Sequence, residues 1–198
     1  MKPEFTTPPE PPELAGRLIA AWAGSRWNDP DAWEGGGSCL NATAIGIRVL
    51  ARRLVIARPV ICDINVMNRE ASVQLMDGFG VADWPVEAHS VGIYQRDGVS
   101  GEVDGHALIE LPEGFIDLSV TQFSRPDRGI HVSEPIWVSK DSVTDSGMYL
   151  TGLGDEGICL VSNVVPMPAR VQNARGFQID GHSNSEVVDA IDAAMTAF

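Results

Sequence analysis

The chain has 198 residues, an apolar fraction of 44% and a charged fraction of 21%, the balance of a globular protein long enough to bury a core. Its formal net charge of −13 argues against nucleic acid or anionic membrane as partner, because neither is attracted to a negative surface. No segment approaches the roughly 20 apolar residues that span a bilayer.

Five of the 13 prolines fall within residues 1–12, so this stretch is expected to be a mobile Pro-rich arm ahead of a single catalytic-type domain over 13–198. No signal peptide is expected, because Glu4, Glu10, Glu13 and Arg17 surround the short apolar stretch Leu18–Ala23. Leu14, Leu18, Ala21 and Trp22 have helical spacing, which predicts a helix from Glu13 to about Ser25, ending near Gly24. Trp27–Ser38 reads as loop. A helix should then run from Cys39 to about Leu54, with Ser38 as N-cap and Leu40, Ala44, Ile47, Ala51 and Leu54 on its packed side. Its nearly all-apolar start marks a buried central helix.

Pro59–Val66 reads as a strand, and Asn68–Asp77 fits either a short helix or a strand. Ala88–Gln95 alternates like a strand, and Arg96–Gly105 reads as a surface connection. Gly105–Leu111 and Gly114–Ser119 are expected to pair as a hairpin. Pro135–Ser139 is a further strand, and Gly154-Asp155-Glu156 turns a second hairpin between Met148–Leu153 and Gly157–Asn163. A capping box, Ser183-x-x-Glu186, opens a C-terminal helix carrying Val187, Val188, Ile191, Ala194 and Met195. Helices, an antiparallel sheet and a closing helix define an α+β fold.

Cys39, Cys62 and Cys159 are odd in number and widely spaced, so they read as free thiols in a reducing compartment, and a cytoplasmic location is expected. Cys62 and Cys159 lie in apolar strand patterns and read as core. Cys39 differs. The first-turn N–H groups of a helix lower a thiol's pKa, and a nearby imidazolium lowers it further. Gly35-Gly36-Gly37 leave the backbone free to turn toward a developing oxyanion. His106 opens one strand of the expected hairpin and Asp117 sits on the other. Together, Cys39, His106 and Asp117 have the order nucleophile, base, orienter. A loop of two or four residues near Leu111–Gly114 puts His106 and Asp117 on one face, whereas a loop of three separates them. In that second case Ser119 or Gln122 would orient the histidine. His89, His131 and His182 have no partners at a recognisable spacing. Zinc held by the three candidates lacks a fourth ligand and the paired cysteine spacings of closed sites, so no metal is expected.

Gly-Ser-Cys-Leu-Asn-Ala-Thr-Ala, Gly-His-Ala-Leu-Ile-Glu-Leu and Gly-Phe-Ile-Asp-Leu-Ser resemble the motifs of the transglutaminase-like branch of the papain-like cysteine enzyme superfamily. The stretch Gly105–Pro126 also resembles uncharacterised actinobacterial and phage proteins with Asp-Leu-Ser-x-x-Gln-x-Ser-Arg-Pro. The resemblance covers about residues 36–126. It implies a papain-like core with the Cys39 helix packed on an antiparallel sheet, Cys39 as nucleophile, His106 as general base and acid, and Asp117 as orienter. The chain departs from the branch in its shorter His-to-Asp interval, in Leu108 where Trp is common, and in lacking an upstream Gln as oxyanion donor. Trp33 and Asn28 are the candidates to replace that Gln.

The expected activity is thiol acyl transfer on a peptide or protein substrate, as a peptidase or amidase (hydrolase, thiol protease) or a transamidase. No cofactor is expected. The alternative is a non-catalytic papain-like-fold protein that binds a protein partner through its acidic surface. Oligomeric state, acyl acceptor and side-chain preference are not legible in the residues.

Overall fold

The structure, a computed structural model, describes residues 10–29, 38–78, 83–95, 105–172 and 182–197. Among them are α1 (Glu13–Ala23), α2 (Ser38–Arg52), β1 (Arg58–Asn68), α3 (Arg69–Met76), β2 (Ser90–Ile93), β3 (His106–Glu110), β4 (Gly114–Asp117), β5 (Ile136–Ser139), β6 (Tyr149–Gly152), β7 (Gly157–Pro166), α4 (Ala169–Gln172) and α5 (His182–Ala194). Residues 1–9 of the expected arm and 96–104 of the expected connection lie outside the described residues. Pro11 and Pro12 are half-buried at the head of α1.

The strands form one antiparallel sheet in the order β5-β4-β3-β1-β7-β6. β1 is its spine because it is apolar on both faces along most of its length. It pairs with β7 along one edge, and with β3 and then β2 along the other. The sheet curls into a nearly closed barrel. Its outermost strands meet where Thr151 Oγ1 donates to the carbonyl of Trp137, 3.0 Å away. Alternation sends Val60, Cys62, Ile64 and Val66 of β1 inward, where they meet Leu108, Phe115, Val138, Cys159 and Val161. The opposite face of β3, β4 and β5 presents Ile109, Ile116 and Trp137 to the helices.

α2 lies on that outer face with α1 and α5, and the three helices share one core with it. The packed side of α2 differs from expectation. Ala42, Ile45, Val49 and Leu50 are the fully buried residues alongside Ala44, whereas Leu40 and Ile47 are half-buried and Ala51 is exposed. Leu54 is 92% exposed and stands beyond the helix with φ 60°, turning the chain toward β1. An almost uniformly apolar helix carries little information about which side is covered; the sheet and its two flanking helices decide it. Gly46 allows the approach, since a Cβ there would collide with Ile109 Cδ1 and Leu118 Cδ1. Each buried Ile, Val or Leu on this face is worth roughly 1.5–3 kcal/mol of transfer free energy.

The segment open to two readings, Asn68–Asp77, forms α3. Asn68 Oδ1 accepts from the Ala71 N–H at 3.0 Å and so caps the helix. The C-terminal helix begins at His182, ahead of the capping-box position, and α4 has no counterpart among the sequence-derived elements. A bulge between Ile61 and Asp63 interrupts β1–β7 pairing, and Asp63 accepts there from Gln95 N and Asn163 Nδ2, both at 2.6 Å. Among the described residues no helix is long and apolar enough to cross a membrane.

Candidate active site

The hairpin β3–β4 closes with Pro112-Glu113 as its loop, because the Leu111 N–H donates to the Gly114 carbonyl at 2.8 Å. Glu110 pairs with Phe115 and Ile109 with Ile116. Continuing that register sets Leu108 opposite Asp117, so Asp117 shares a face with Leu108 and, two residues earlier, with His106. The two-residue alternative for the loop is therefore the one adopted. Both side chains are buried, at 0% and 1% exposure. His106 Nε2 and Asp117 Oδ2 lie 2.7 Å apart.

The other carboxylate oxygen is occupied as well. Asp117 Oδ1 accepts from Ser119 N at 2.9 Å and Ser119 Oγ at 3.1 Å. Ser119 thus serves the aspartate rather than replacing it. Beyond it, the 3-10 turn Val120–Phe123 folds back over the imidazole. Phe123 meets the ring edge-on, with centroids 5.1 Å apart, and Gln122 Nε2 stands 3.3 Å from Nδ1. The ring is held on three sides by one short segment of chain.

Cys39 completes the group from a distant part of the chain. It is the second residue of α2 and half-buried, beside Ile61, Ala107, Met167 and Val171. It hydrogen-bonds the His106 side chain and receives a further hydrogen bond from the Ala107 backbone. With Asp117 on Nε2, the thiol is left the Nδ1 side of the ring, which it shares with Gln122 Nε2. The helix does not lie across the face that carries the histidine. His106 and Leu108 point into the curled sheet while α2 packs on the Ile109 side, so thiol and ring meet at the first residue of β3. Gly105, with φ +129°, makes that entry possible; a Cβ would collide with Ile61 Cγ2.

The electrostatics follow from these neighbours. Burial would raise the Cys39 pKa, but the hydrogen bond and charge of His106 and the Ala107 hydrogen bond outweigh it and hold the thiol below its ordinary value. Burial would lower the His106 pKa, but the charge and hydrogen bond of Asp117, followed by those of Cys39, raise it from 6.5 to about 10. The pair is therefore disposed to exist as thiolate and imidazolium. Cys62 and Cys159 behave oppositely: burial pushes both thiols well up, and Asp117's charge adds to the effect.

Of the two residues considered for oxyanion donation, Trp33 lies outside the described residues, as do Gly35–Gly37. Asn28 is committed elsewhere: its Nδ2 donates to the Ser133 carbonyl at 2.9 Å, while its backbone carbonyl accepts from Thr121 Oγ1. His89 is half-buried, with its backbone tied to Asn68, and His131 is exposed; the His182 side chain lies outside the described residues. Among the described residues, no group of three or more His, Cys, Asp or Glu side chains is placed to hold a metal. Gln122, considered only as a substitute for Asp117, touches the ring alongside it; the contacts of Phe123 and the Ala107 backbone with the site were not foreseen. Their only trace in the sequence is the short Asp117-to-Phe123 interval, which leaves room for one tight turn. Comparisons with protein-family models, with curated proteins and with solved structures find no match.

Proposed function

We propose that the chain is a thiol acyl-transfer enzyme with a papain-like, transglutaminase-like core, acting on an amide or ester. The observation that carries this reading is the two-sided use of one buried imidazole: Asp117 on Nε2 at 2.7 Å, and the Cys39 thiol at the remaining edge. A nucleophile, a base and an orienter need this connectivity, because base and orienter roles use opposite nitrogens of one ring. The order along the fold (Cys at a helix start, His and Asp on successive antiparallel strands) supports the same reading.

In this mechanism the Cys39 thiolate attacks the carbonyl carbon, and the electron pair of the C=O bond moves onto oxygen. Collapse of the tetrahedral species expels the leaving amine, which takes the Nδ1 proton of His106, and a thioester remains on Cys39. Neutral His106 then removes a proton from water, or from an amine, as it attacks the thioester, and returns to the imidazolium when the thiolate leaves. Asp117 keeps Nε2 protonated and offsets the ring's charge throughout. Hydrolysis is favoured over transamidation because water is always at hand and the described residues form no dedicated amine site. The half-buried position of Cys39 restricts the reacting carbonyl to an accessible group such as a peptide or an exposed protein side chain.

The test is the rate of alkylation by an iodoacetamide probe, resolved by mass spectrometry of labelled peptides, on wild type and His106→Ala. Cys39 should label with an apparent pKa below the ordinary thiol value of about 8.5, and His106→Ala should raise that pKa. An ordinary or elevated pKa in wild type refutes catalysis and favours a papain-like-fold protein that binds a partner through its acidic surface.

A further inference from the structure

Resting on the acyl-transfer reading, we propose that Cys62 is a positioning residue for the nucleophile: through one peptide group, its buried S–H strengthens the hydrogen bond that holds the Cys39 thiolate. Cys62 Sγ donates to the His106 backbone carbonyl, 3.5 Å away. The N–H of that same peptide group belongs to Ala107. It donates to the Cys39 sulfur, which packs beside Ala107 and Ile61. A trans peptide directs its C=O and N–H to opposite sides. One planar group therefore carries a thiol donor at its oxygen and the reactive sulfur at its nitrogen.

The coupling runs through amide resonance. A donor on the oxygen draws electron density away from the nitrogen, so the N–H becomes more positive and a better donor to an anion. The thiolate gains more than the thiol, because neutral sulfur accepts only weakly. The same N–H receives the thiolate again when it leaves the thioester. Cys62 must remain protonated to act in this way. Burial, followed by the charge of Asp117, holds its thiol well above the ordinary value and keeps the proton in place.

The pattern of β1 points to the same role. Its inward residues are Val60, Cys62, Ile64 and Val66, all buried, and a β-branched side chain fills three of the four places. The exception is the residue whose ladder partner is His106. Among the described residues its thiol has no other hydrogen-bond partner. The titratable groups that act on Cys39 are His106 on β3 and Asp117 on β4. Those that face Cys62 are Asp117, Cys159 on β7, Asp63 on its own strand, and Cys39. A neutral replacement of the protonated Cys62 alters none of these charges, so a moved Cys39 midpoint reports on the peptide between them.

The experiment compares wild type with Cys62→Val, which removes the S–H, and Cys62→Thr, which has nearly the same shape as that variant but returns a donor. One reading is the pH midpoint of Cys39 alkylation by iodoacetamide. The other is the NMR signal of the Ala107 amide proton, selected by isotope labelling of histidine carbonyls and alanine nitrogens, since His106-Ala107 is the only His-Ala pair in the chain. Cys62→Val should raise the midpoint by about 0.3–0.5 pH units, a two- to threefold slower alkylation below it, and move the Ala107 proton upfield. Cys62→Thr should return both readings toward wild type. Where circular dichroism shows the branched pair to be misfolded, Cys62→Ala and Cys62→Ser supply the same contrast at smaller bulk. Equal shifts in the variants with and without a donor would assign the effect to packing and overturn the proposal. So would a midpoint that no variant moves. A wild type with a lowered Cys39 midpoint and insensitive variants refutes the role of Cys62 alone. A wild type whose Cys39 titrates as an ordinary thiol refutes the acyl-transfer reading, and the proposal with it.

Discussion

Cys39 and Cys62 both neighbour the same histidine, yet their thiols are shifted in opposite directions. Cys62 is the ladder partner of His106, and its Sγ lies 3.5 Å from the His106 backbone carbonyl. Burial and the Asp117 charge hold its thiol well above the ordinary value. Cys39, brought by a helix from another layer, reaches the imidazole instead of the backbone, and its thiol is held below. Nearness to a histidine is therefore not what activates a thiol. What counts is access to a ring nitrogen that can carry a proton, together with a carboxylate that keeps the ring charged.

The largest expected effect tests that distinction directly. His106→Ala should reduce acyl transfer by about 10²–10⁴-fold and raise the Cys39 pKa, with Cys62 and Cys159 remaining unreactive in the folded protein. A comparable gain of reactivity at Cys62 would break the comparison. Steady-state kinetics with an activated ester and peptide mapping of alkylation measure both. Next, Asp117→Ala should destabilise the fold by about 3–5 kcal/mol, because it strips a buried histidine of its counter-charge; urea unfolding monitored by tryptophan fluorescence reports it. Loss of less than about 1 kcal/mol would mean that the ring is neutral in the resting protein.

Exchanging sulfur for oxygen should separate the two cysteines by a smaller margin. Cys62→Ser places a hydroxyl inside the apolar barrel and should cost about 1–3 kcal/mol. Cys39→Ser, at a half-buried helix start where the new hydroxyl keeps His106 and the Ala107 backbone as hydrogen-bond partners, should stay within about 1–2 kcal/mol while abolishing acyl transfer. Parallel thermal melts of the two variants decide this. The smallest effect is on pH dependence. The folded-state pKa of His106 is raised from 6.5 to about 10, so its contribution to stability is full below about pH 6.5 and is lost as pH rises through about 10. Chemical denaturation at a series of alkaline pH values should show that decline, and it should flatten in His106→Ala.

The residues that make up the site were legible because each is announced locally. Gly105-His106 and Gly114–Asp117 bracket a two-residue Pro112-Glu113 loop, and helix periodicity resumes directly after Ser38. The support around them was less so. Gln122 and Phe123 touch the ring only because a 3-10 turn doubles back over it, and turns of that kind follow no hydrophobic period. Asn68 appeared as one polar residue at an ambiguous boundary, yet its capping hydrogen bond to Ala71 N is what makes the following segment a helix.

The sequence by itself determined most of the elements, the α+β class and the antiparallel character of the hairpins, and it singled out Cys39, His106 and Asp117 as candidates, since alternation and helical spacing operate over a few residues. Tertiary structure alone decided which side of α2 is buried, that the sheet curls until β6 reaches β5, and that His106 looks into the barrel while α2 lies outside it. It also decided that Cys39 meets His106 across 67 positions of chain (106 − 39). These outcomes depend on how surfaces of near-equal apolarity match one another. Such surfaces look alike until packing, close approach at Gly46 and the entry conformation of Gly105 choose among them.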